Sequence, residues 1–590
     1  MHYHEEEILG KAFDRRLMRR LLNYLWPYKW LAALSLFSLA VIAVMEMAGP
    51  YIIKLAIDNE LSANDYQGLL ILAIIYIVVL IFNAFGEYAH ILLTRILGQK
   101  IMYDIRTQVF THIQRLPLSF FDKNPVGRLV TRVTNDVETL NDMLSSGVVA
   151  ILGDIIVLAG IVFVMLSLNW QLAIVSLVVL PFMALATSFY RSRIRDVYRT
   201  SRLRLAKINS YLQENISGMA TVQIFNRETE NYARFEKLSD SYREINLKGI
   251  RYHSIFYPII SLLSTLSTAL IIWYGGNRIF NNFLSLGVLV AFMQYIRRFF
   301  MPLNDLADKY NMMQAAMASS ERVFKLLDEK EQKLYHGTRV PLAQTKGKIE
   351  FRDLSFAYNS EDYVLKNVSF TIQPGEKVAI VGATGAGKTS IISLINRMYE
   401  PTHGQILLDD VDISRIALTD LRSRIGVVLQ DVFIFSGSVE QNITLGNPSI
   451  SQDEIKAAAR RVNVDRFISK MTGQYNHELT ERGSNLSVGQ KQLLSFARAL
   501  AYNPEILILD EATSSVDTET EQLISDAIHT LIKNRTSIII AHRLSTIRDV
   551  DWIIVLHKGE IRETGTHEAL LGKKGIYYRL YQLQFGAKAA

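Results

Sequence analysis

The chain contains no cysteine among its 590 residues. This absence excludes disulfide scaffolds, thiol catalysis, cysteine-ligated zinc and iron–sulfur clusters. Charged residues are also few, at 21%, while hydrophobic residues reach 49% and the mean hydropathy is +0.14. A soluble protein of this size rarely averages on the apolar side, because its buried surface is balanced by wetted surface. The composition therefore excludes disorder and collagen-like repeats and makes the distribution of apolar residues the first question.

Long apolar runs fill the first half of the chain. Each has about 20 residues, the length that a bilayer requires, whereas core helices of soluble domains are shorter and keep a polar face. The predicted membrane helices span residues 30–57, 69–93, 147–168, 172–190, 254–274 and 284–304. Ahead of them, residues 14–26 place Leu17, Leu21 and Leu25 on one stripe among four arginines. That pattern predicts an amphipathic helix on the cytoplasmic membrane surface.

The net charge of +7 is explained by the topology of these helices. Basic residues concentrate in the stretches 95–132 and 191–207, whereas the connection after the first run holds Asp58, Glu60 and Asp65 without any Lys or Arg. The positive-inside rule therefore places both basic stretches and both chain ends in the cytoplasm. We expect a multi-pass protein of the plasma (inner) membrane that binds no nucleic acid.

A phosphate-binding loop lies in the second half, where short strand-like runs alternate with helical ones as in a soluble α/β domain. It follows a buried-strand pattern at 377–381 and runs into a helical segment that begins with Ser390. The loop consists of Gly382, Ala383, Thr384, Gly385, Ala386, Gly387, Lys388 and Thr389. Its glycines let backbone N–H groups approach phosphates, Lys388 can reach the β- and γ-phosphates, and Thr389 can bind Mg²⁺. The strand–loop–helix context favours this function over an ordinary glycine-rich turn.

A second apolar strand, 506–509, delivers Asp510 and Glu511 at its carboxyl end. Parallel sheets present catalytic groups at this edge. Asp510 is suited to the shell of a Mg²⁺ ion, and Glu511 to the general base that activates the attacking water. An acidic pair after an apolar run is a weak pattern when it stands alone, so its value depends on the neighbouring motifs.

Those motifs make the chain resemble an ATP-binding cassette (ABC) transporter. They include Leu486-Ser487-Val488-Gly489-Gln490 at the start of a helix, Ser514-Ser515-Val516-Asp517, and an apolar strand that ends in Ala541-His542-Arg543. The resemblance is to an exporter half-transporter and extends from the amphipathic helix to Gln584. It implies a membrane α-helical domain of six helices followed by a soluble α/β P-loop ATPase domain. The expected domains are residues 1–29 with the amphipathic helix, 30–327 in the membrane, the linker 328–348 and the nucleotide-binding domain 349–590.

The resemblance also assigns roles to individual residues and implies ATP and Mg²⁺ as cofactors. Lys388, Glu511 and His542 are the expected catalytic residues. Tyr358 is expected to stack on adenine, and Ser390 to bind ATP together with the phosphate loop and Gln430. Thr389, Asp510 and Gln430 are expected to bind Mg²⁺, which Gln430 also senses, and Asp517 to communicate between two sites. The signature residues expected to face ATP bound on the opposite subunit are Ser487, Val488, Gly489 and Gln490. Taken singly, Tyr358, Gln430 and His542 also have ordinary structural interpretations, but their order along the chain favours the functional one.

A half-transporter of this family is expected to work as a dimer. Residues 120–136 and 214–228 resemble the two cytoplasmic coupling helices and their flanks, which transmit closure of the nucleotide-binding domains. Val488 stands where exporters commonly carry glycine, and relaxed signatures occur in one subunit of some heterodimers. A heterodimer with a second half-transporter is therefore slightly favoured over a homodimer.

The function implied by the resemblance is ATP-driven export of hydrophobic or amphipathic compounds, such as drugs or lipids, by alternating access. An ATP-gated channel or regulatory receptor on the same fold is the alternative, although gating by binding alone would not need Glu511. In the sixth run, Arg297 and Arg298 could attract anionic amphiphiles or could extend toward the cytoplasmic headgroups, and the sequence leaves both open.

Overall fold

The computed structural model describes residues 14–335, 339–340, 345–359, 362–510, 518–540 and 550–585, with the side chains at 144, 146, 148, 303–308, 310–311, 518–519 and 584–585 left aside. These residues form two compact units. The first comprises the chain up to Gln114 together with Val126–Glu329, and the second comprises Arg115–Pro125 together with the chain from Lys330 onward.

The first unit is helical. Its first helix, α1, begins at Arg15 because the carboxylate of Asp14 accepts hydrogen bonds from the backbone N–H groups of Arg16 and Leu17. Its apolar stripe is buried through Met18 and Leu21. The helices of the unit are α1 (Arg15–Asn23), α2 (Lys29–Leu55), α3 (Tyr66–Ile113), α5 (Val126–Thr131), α6 (Val137–Asp142), α7 (Val149–Leu168), α8 (Trp170–Leu177), α9 (Leu180–Ser217), α10 (Met219–Ile224), α11 (Glu228–Phe280) and α12 (Leu286–Leu327). The intervening α4 (Leu118–Lys123) belongs to the second unit.

Five segments among the described residues are long and apolar enough to cross a membrane. They are Trp26–Leu61, Tyr66–Ile113, Val149–Leu168, Trp170–Ser217 and Glu228–Phe280. Each overlaps one of the first five predicted runs. The sixth run, 284–304, overlaps α12, which is not among the five, so that span stays a prediction.

The outward faces of these helices suit lipid. The most apolar stretch of α3 has none of its residues buried within the unit, and Phe82 and Phe85 are exposed. Exposing such an apolar surface to water is unfavourable, so the surface indicates contact with hydrocarbon. At about 1.5 Å per residue, the 48 residues of α3 and the 53 of α11 each make a helix about 2.5 times as long as the hydrocarbon core is thick.

Inside the first unit, the carboxyl-terminal helices pack around the start of α12. Phe292, Tyr295 and Ile296 of α12 are fully buried against Met165 of α7 and Leu172 of α8. Between α8 and α9 the helical hydrogen bonding is interrupted at residues 178–179, just before Pro181. A proline at this position donates no backbone hydrogen bond, which suits the beginning of a new helix.

The second unit contains two larger sheets. Its strands are β1 (Ile349–Ala357), β2 (Tyr363–Ile372), β3 (Lys377–Val381), β4 (His403–Leu408), β5 (Val411–Asp412), β6 (Ile425–Val428), β7 (Gly437–Ser438), β8 (Glu478–Leu479), β9 (Ile506–Asp510), β10 (Thr536–Ile540), β11 (Trp552–His557) and β12 (Glu560–Gly565). Strands β2-β1-β4-β5 form an antiparallel sheet, and β12-β11-β3-β10-β9-β6 form a sheet that is parallel except for β12.

The six-stranded sheet is buried on both faces, as the near-continuous apolar runs of its central strands require. All residues of β9 and β10 are buried. Alternate side chains divide between two cores, because successive residues of a strand point to opposite faces. Ile506, Ile508, Ile538 and Ile540 face the core shared with the antiparallel sheet. Leu507, Leu509 and Ile539 face the core packed by helices.

The helices of the second unit that follow the linker are shorter than those of the first. They are α13 (Lys388–Ile395), α14 (Leu418–Arg424), α15 (Val439–Thr444), α16 (Gln452–Arg461), α17 (Asp465–Ile468), α18 (Val488–Ala501), α19 (Thr518–Ile532), α20 (His567–Gly572) and α21 (Ile576–Phe585). Helix α13 follows the predicted phosphate-binding loop, and α18 begins within the predicted signature motif.

Candidate nucleotide site

The phosphate-binding loop joins β3 to α13 in the strand–loop–helix order that the sequence predicts. Gly385 and Gly387 have φ angles of 81° and 102°, in the left-handed region where a side chain is disfavoured. A Cβ atom on Gly387 would lie 2.6 Å from Leu365 Cδ2, and one on Gly382 would lie 2.4 Å from the carbonyl oxygen of Leu556. These glycines therefore give the loop a curvature that larger residues could not adopt.

Lys388 begins α13, and its side chain turns back into the loop. The ammonium nitrogen donates to the carbonyl oxygens of Gly382 at 2.7 Å and Ala383 at 3.2 Å. Burial lowers the pKa of Lys388, and the negative charge of Asp510 opposes that shift. Both hydrogen bonds that the described residues offer this buried cation come from neutral carbonyls, so it is suited to an incoming polyanion whose phosphate oxygens carry the charge that carbonyls lack.

The predicted metal-binding residues lie at one edge of the six-stranded sheet. Asp510 is the last residue of β9 and is buried, and Gln430 follows the end of β6 by two residues and is exposed. Strand β10 lies between β3 and β9, with Ile540 opposite Ile380 on one side and Asp510 on the other. The carboxyl ends of four parallel strands thus bring the loop, Asp510 and Gln430 to the same edge.

Tyr358 and Ser390, predicted separately for ATP binding, are brought together. Their hydroxyl oxygens are 3.0 Å apart. The exposed ring of Tyr358 meets Phe356 and Tyr399 edge-on, with ring centroids 4.7 Å and 5.0 Å away. An aromatic face beside a phosphate loop can stack on a purine.

The signature motif forms the amino-terminal cap of α18. The hydroxyl of Ser487 accepts from the backbone N–H of Gln490 at 3.2 Å, and the side-chain carbonyl of Gln490 accepts from the N–H of Ser487 at 2.9 Å. Gly489 is buried, whereas the side chain of Val488 is 60% exposed. These hydrogen bonds join Ser487 and Gln490 to each other and do not reach the phosphate loop.

Glu511, Asp517 and His542 lie outside the described residues. Glu511 directly follows Asp510, and His542 comes two positions after the last residue of β10. Their assigned roles stay predictions, as do the ligand contacts assigned to the other site residues.

The residues at this edge fit ATP and a hard cation by their chemistry. The hydroxyl of Thr389, the carboxylate of Asp510 and the amide oxygen of Gln430 are the oxygen ligands that Mg²⁺ prefers. Groups of three or more His, Cys, Asp or Glu that could hold a metal are absent from the described residues. Such an edge would bind Mg²⁺ together with nucleotide phosphates rather than in an all-protein cage.

In the first unit, Arg298 of α12 has a contact that the sequence did not predict. Pro50 lacks an N–H, so the carbonyl of Glu46, four residues earlier in α2, receives no hydrogen bond from it. The guanidinium of Arg298 donates to that carbonyl oxygen, and the Tyr295 hydroxyl donates to the next carbonyl, of Met47, at 2.6 Å. Arg298 therefore joins α12 to α2, and Arg297 is exposed. The two alternatives that the sequence leaves open stay predictions for both arginines.

Two further residues near the phosphate loop were missed by the sequence interpretation. Tyr399 follows α13 by four residues and contacts Tyr358, and the fully buried Arg397 donates to four backbone carbonyls. The sequence offers only a weak signal for either residue, because an aromatic or basic residue after a helix is common. Their partners are distant in the chain.

A phosphate loop and a unit of lipid-exposed helices in one chain define a membrane-embedded ATPase. The family described as "ABC transporter transmembrane region" matches residues 32–303, and the family described as "ABC transporter" matches residues 365–514. The chain is 39% identical over 586 residues to the ABC transporter ATP-binding protein YknV of Bacillus subtilis. The match covers 99% of this chain and 97% of YknV.

Two other relatives carry more specific names. The probable multidrug resistance ABC transporter ATP-binding/permease protein YheH of Bacillus subtilis is 38% identical to this chain. The match covers 89% of this chain and 78% of YheH. The ATP-dependent lipid A-core flippase of Syntrophus aciditrophicus is 36% identical, over 96% and 94%. The chain belongs to the ABC transporter family, as a half-transporter of the exporter type. It is a multi-pass membrane protein that binds ATP and couples its hydrolysis to transport.

Proposed function

We propose that the chain is one half of a dimeric exporter that moves hydrophobic or amphipathic compounds, drugs or lipids, out across the plasma membrane by alternating access. The observation that carries this proposal is the buried Lys388 ammonium in a glycine-curved loop, in a chain whose other unit exposes apolar helices suited to lipid. The exposed basic stretch 191–207 of α9 supports a cytoplasmic position for the nucleotide-binding domain and both chain ends.

In this proposal, the residues at the sheet edge bind ATP and position the attacking water. Tyr358 stacks on adenine, the loop from Gly382 to Thr389 surrounds the phosphates, and Lys388 neutralises charge that develops at the γ-phosphate. Mg²⁺, when bound by Thr389, Asp510 and Gln430, supplies further positive charge there. Glu511 accepts the proton of the water, and His542 orients the water against the phosphate.

The signature residues act on ATP bound to the other subunit. Ser487 and the buried Gly489 begin α18, whose amino-terminal N–H groups and dipole favour an anion. Apolar side chains support a partner surface, because Ile224 and Phe225 near α10 and Phe433 and Phe435 after β6 are all exposed in the single chain. We propose that subunits of a dimer cover them, with Asp517 communicating between the two ATP sites.

The substrate class follows from the relatives and from the membrane unit. Proteins named for multidrug resistance, lipid A-core and fatty acid transport are similar to this chain over most of its length. The described membrane helices supply mainly apolar surface, which suits a compound that partitions into lipid. A heterodimer is slightly favoured over a homodimer because of Val488.

The test is an ATPase assay on the purified chain reconstituted alone in lipid, with the oligomeric state measured by native mass spectrometry. Wild type and Glu511→Gln are compared at equal concentration with Mg²⁺. Loss of the general base should reduce turnover by about 100-fold or more while ATP still binds. Uptake of a fluorescent amphiphile into inside-out vesicles measures transport in the same preparations.

The matched control is Glu505→Gln, at the opposite end of β9, where the carboxylate pairs with Arg424 at 2.6 Å. This variant should keep its ATPase activity. A monomer with little turnover that becomes active with a second half-transporter supports the heterodimer, whereas an active dimer of this chain supports the homodimer. ATPase activity that persists in Glu511→Gln contradicts the proposed chemistry, and ATPase activity without amphiphile uptake contradicts the proposed substrate class.

A further inference from the structure

Helix α4, which resembles the first coupling helix, is held by the unit that contains the nucleotide site. The Tyr399 hydroxyl donates to the carboxylate of Asp122 near the end of α4. The backbone N–H of Gln332 donates to the carbonyl of Arg115 at 2.8 Å, and the side chains of Arg115 and Glu331 pair at 3.8 Å. Residues 115–125 and the chain from Lys330 onward accordingly form one compact unit.

Tyr399 also touches the candidate ATP site. Its ring meets the ring of Tyr358 at a centroid distance of 5.0 Å and an angle of 85°, and the Tyr358 hydroxyl lies 3.0 Å from that of Ser390 in α13. A continuous series of contacts thus runs from the helix after the phosphate loop, through two aromatic rings, to α4. Each ring is stiff because it has few rotatable bonds. A displacement of the Tyr358 ring would therefore displace the ring of Tyr399.

The backbone beneath Tyr399 is fixed by Arg397. This arginine is 1% exposed and donates to the carbonyls of Ile416 at 2.9 Å, Ile413 and Lys333 at 3.1 Å, and Leu334 at 3.4 Å. Its φ angle of 47° turns the chain sharply after α13. Because buried donors are costly to leave unpaired, the turn and Tyr399 are held in one position relative to α13.

We propose that Tyr399 is a positioning residue that carries the state of the ATP site to α4. Its ring packs on Tyr358, and its hydroxyl holds Asp122. ATP that stacks on Tyr358 restricts the motion of that ring, and Tyr399 passes the restriction to α4. The inference rests on the proposed function in one respect, namely that ATP binds at Tyr358 and the phosphate loop.

Hydrogen–deuterium exchange on the full-length protein in lipid nanodiscs tests this inference without knowledge of the transported compound. Exchange is measured with and without ATP and Mg²⁺, in two segments. Protection of the loop from Gly382 to Thr389 reports binding, and protection of α4 reports transmission. In wild type, ATP should slow exchange in both segments.

Four variants separate ATP binding at the loop from the contact between the Tyr399 hydroxyl and Asp122. Tyr399→Phe removes the hydroxyl but keeps the ring, and should retain loop protection while losing more than half of the ATP-induced protection of α4. Asp122→Ala should likewise lose more than half of the ATP-induced protection of α4. Asp122→Asn keeps an acceptor oxygen and should retain most of that protection. The double variant of Tyr399→Phe with Asp122→Ala should be no worse than either single variant, because both remove one contact.

The matched control is Tyr475→Phe, since the Tyr475 hydroxyl donates to Asp465 at 2.7 Å in the same unit. This control should leave protection of both segments unchanged. In ATPase assays, Tyr399→Phe should lower kcat about fivefold, as expected for one lost hydrogen bond, and leave the KM for ATP within about twofold.

The outcomes separate the inference from the proposed function. If ATP does not protect the loop in wild type, the proposed site itself is wrong. If ATP protects the loop in both proteins and protects α4 in Tyr399→Phe as fully as in wild type, Tyr399 does not carry the signal. Equal losses of protection in Tyr399→Phe and in Tyr475→Phe would mean that any lost tyrosine hydroxyl loosens the unit, and the inference would also fall.

Discussion

In the ATPase unit, Lys388 donates to carbonyls five and six residues before it, whereas in the membrane unit Lys309 pairs with Asp154, which is 155 residues away. Arg322 likewise binds Asp136 across 186 residues, and Arg298 binds the carbonyl of Glu46 across 252. The first unit thus uses these three partly buried cations to hold helices together. The second keeps Lys388 on a short loop, on neutral oxygens that a ligand can replace.

This difference predicts opposite consequences for substitutions. Removing Lys388 should abolish chemistry with little effect on folding, because its partners are carbonyls of its own loop. Removing a membrane-unit cation should reduce stability, because its partner belongs to another helix. The comparison fails if a loop variant unfolds the protein or if a membrane-unit variant unfolds no more readily than wild type.

The largest effect is expected for Lys388→Met, which keeps the length of the side chain and removes its charge. ATPase activity should fall by about 100-fold or more, the range typical for losing one group that stabilises transition-state charge. The thermal midpoint should stay close to that of wild type. The assay is phosphate release in lipid, with Lys366→Met on the exposed face of β2 as the control.

The second effect is expected at the ion pair of Lys309 and Asp154, whose side chains are 17% and 22% exposed. Asp154→Asn leaves a poorly solvated ammonium without its carboxylate and should lower the free energy of unfolding by about 3 kcal/mol. The exchanged pair, Asp154→Lys with Lys309→Asp, should recover most of this loss. Denaturant unfolding in lipid or detergent measures it.

Glu87→Gln is the matched control for that pair, since the Glu87 carboxylate lies in the same unit but accepts from Asn83 only four residues away. Glu87→Gln should lower the free energy of unfolding much less than Asp154→Asn does. Equal losses in the two variants would remove the distinction between local and long-range polar contacts in the membrane unit.

The same distinction explains what the sequence could predict. The phosphate loop, Asp510 at the end of β9 and the helix that starts after Ser487 follow from short motifs, because a strand pattern and a few adjacent residues specify each one. The contacts of Tyr399 with Asp122, and of Arg298 with Glu46, join residues 277 and 252 positions apart. Such contacts depend on how helices pack, which composition and periodicity do not specify.

Residue type also left one contact unpredicted. Two adjacent arginines in an apolar run suggest an anionic ligand or headgroup contact, and the sequence treats Arg297 and Arg298 alike. The structure separates them, because only Arg298 lies against the carbonyl that Pro50 frees. A proline four residues after a helical carbonyl is a readable signal, but it does not identify the side chain that binds there.

The third prediction uses that proline. Arg298→Met should destabilise the membrane unit by about 1.5–3 kcal/mol, because a helical carbonyl loses a charged donor in an apolar surrounding. In a Pro50→Ala background, the restored N–H can donate to the Glu46 carbonyl, so the same Arg298→Met change should cost less than half as much. Unfolding of wild type, the two single variants and the double variant forms a double-mutant cycle. A cost that is independent of residue 50 would contradict this account of Arg298.

The smallest effect is expected at the carboxyl end of α12, where the guanidinium of Arg20 binds Asp328 through two hydrogen bonds of 2.8 Å and lies 4.3 Å from the centroid of the Phe324 ring. The hydrogen bond from Arg20 lowers the pKa of Asp328. A lowered folded-state pKa adds stability above the ordinary pKa of an aspartate, and that stability disappears as pH falls through the folded value. Because the pair is exposed, it should contribute less than about 1 kcal/mol.

Asp328→Asn should therefore be slightly less stable than wild type at pH 7, and the difference should shrink as pH falls below the ordinary pKa of about 4 and vanish below the lower folded-state pKa. Thermal unfolding of both proteins across pH measures that difference, with Glu329→Gln at the exposed neighbouring position as the control. Arg20→Lys keeps the charge but loses the paired geometry and much of the ring contact, so it should cost about as much as Asp328→Asn. If Arg20→Lys is harmless, charge alone holds α1 to α12, and this contact is less specific than the buried long-range pairs of the same unit.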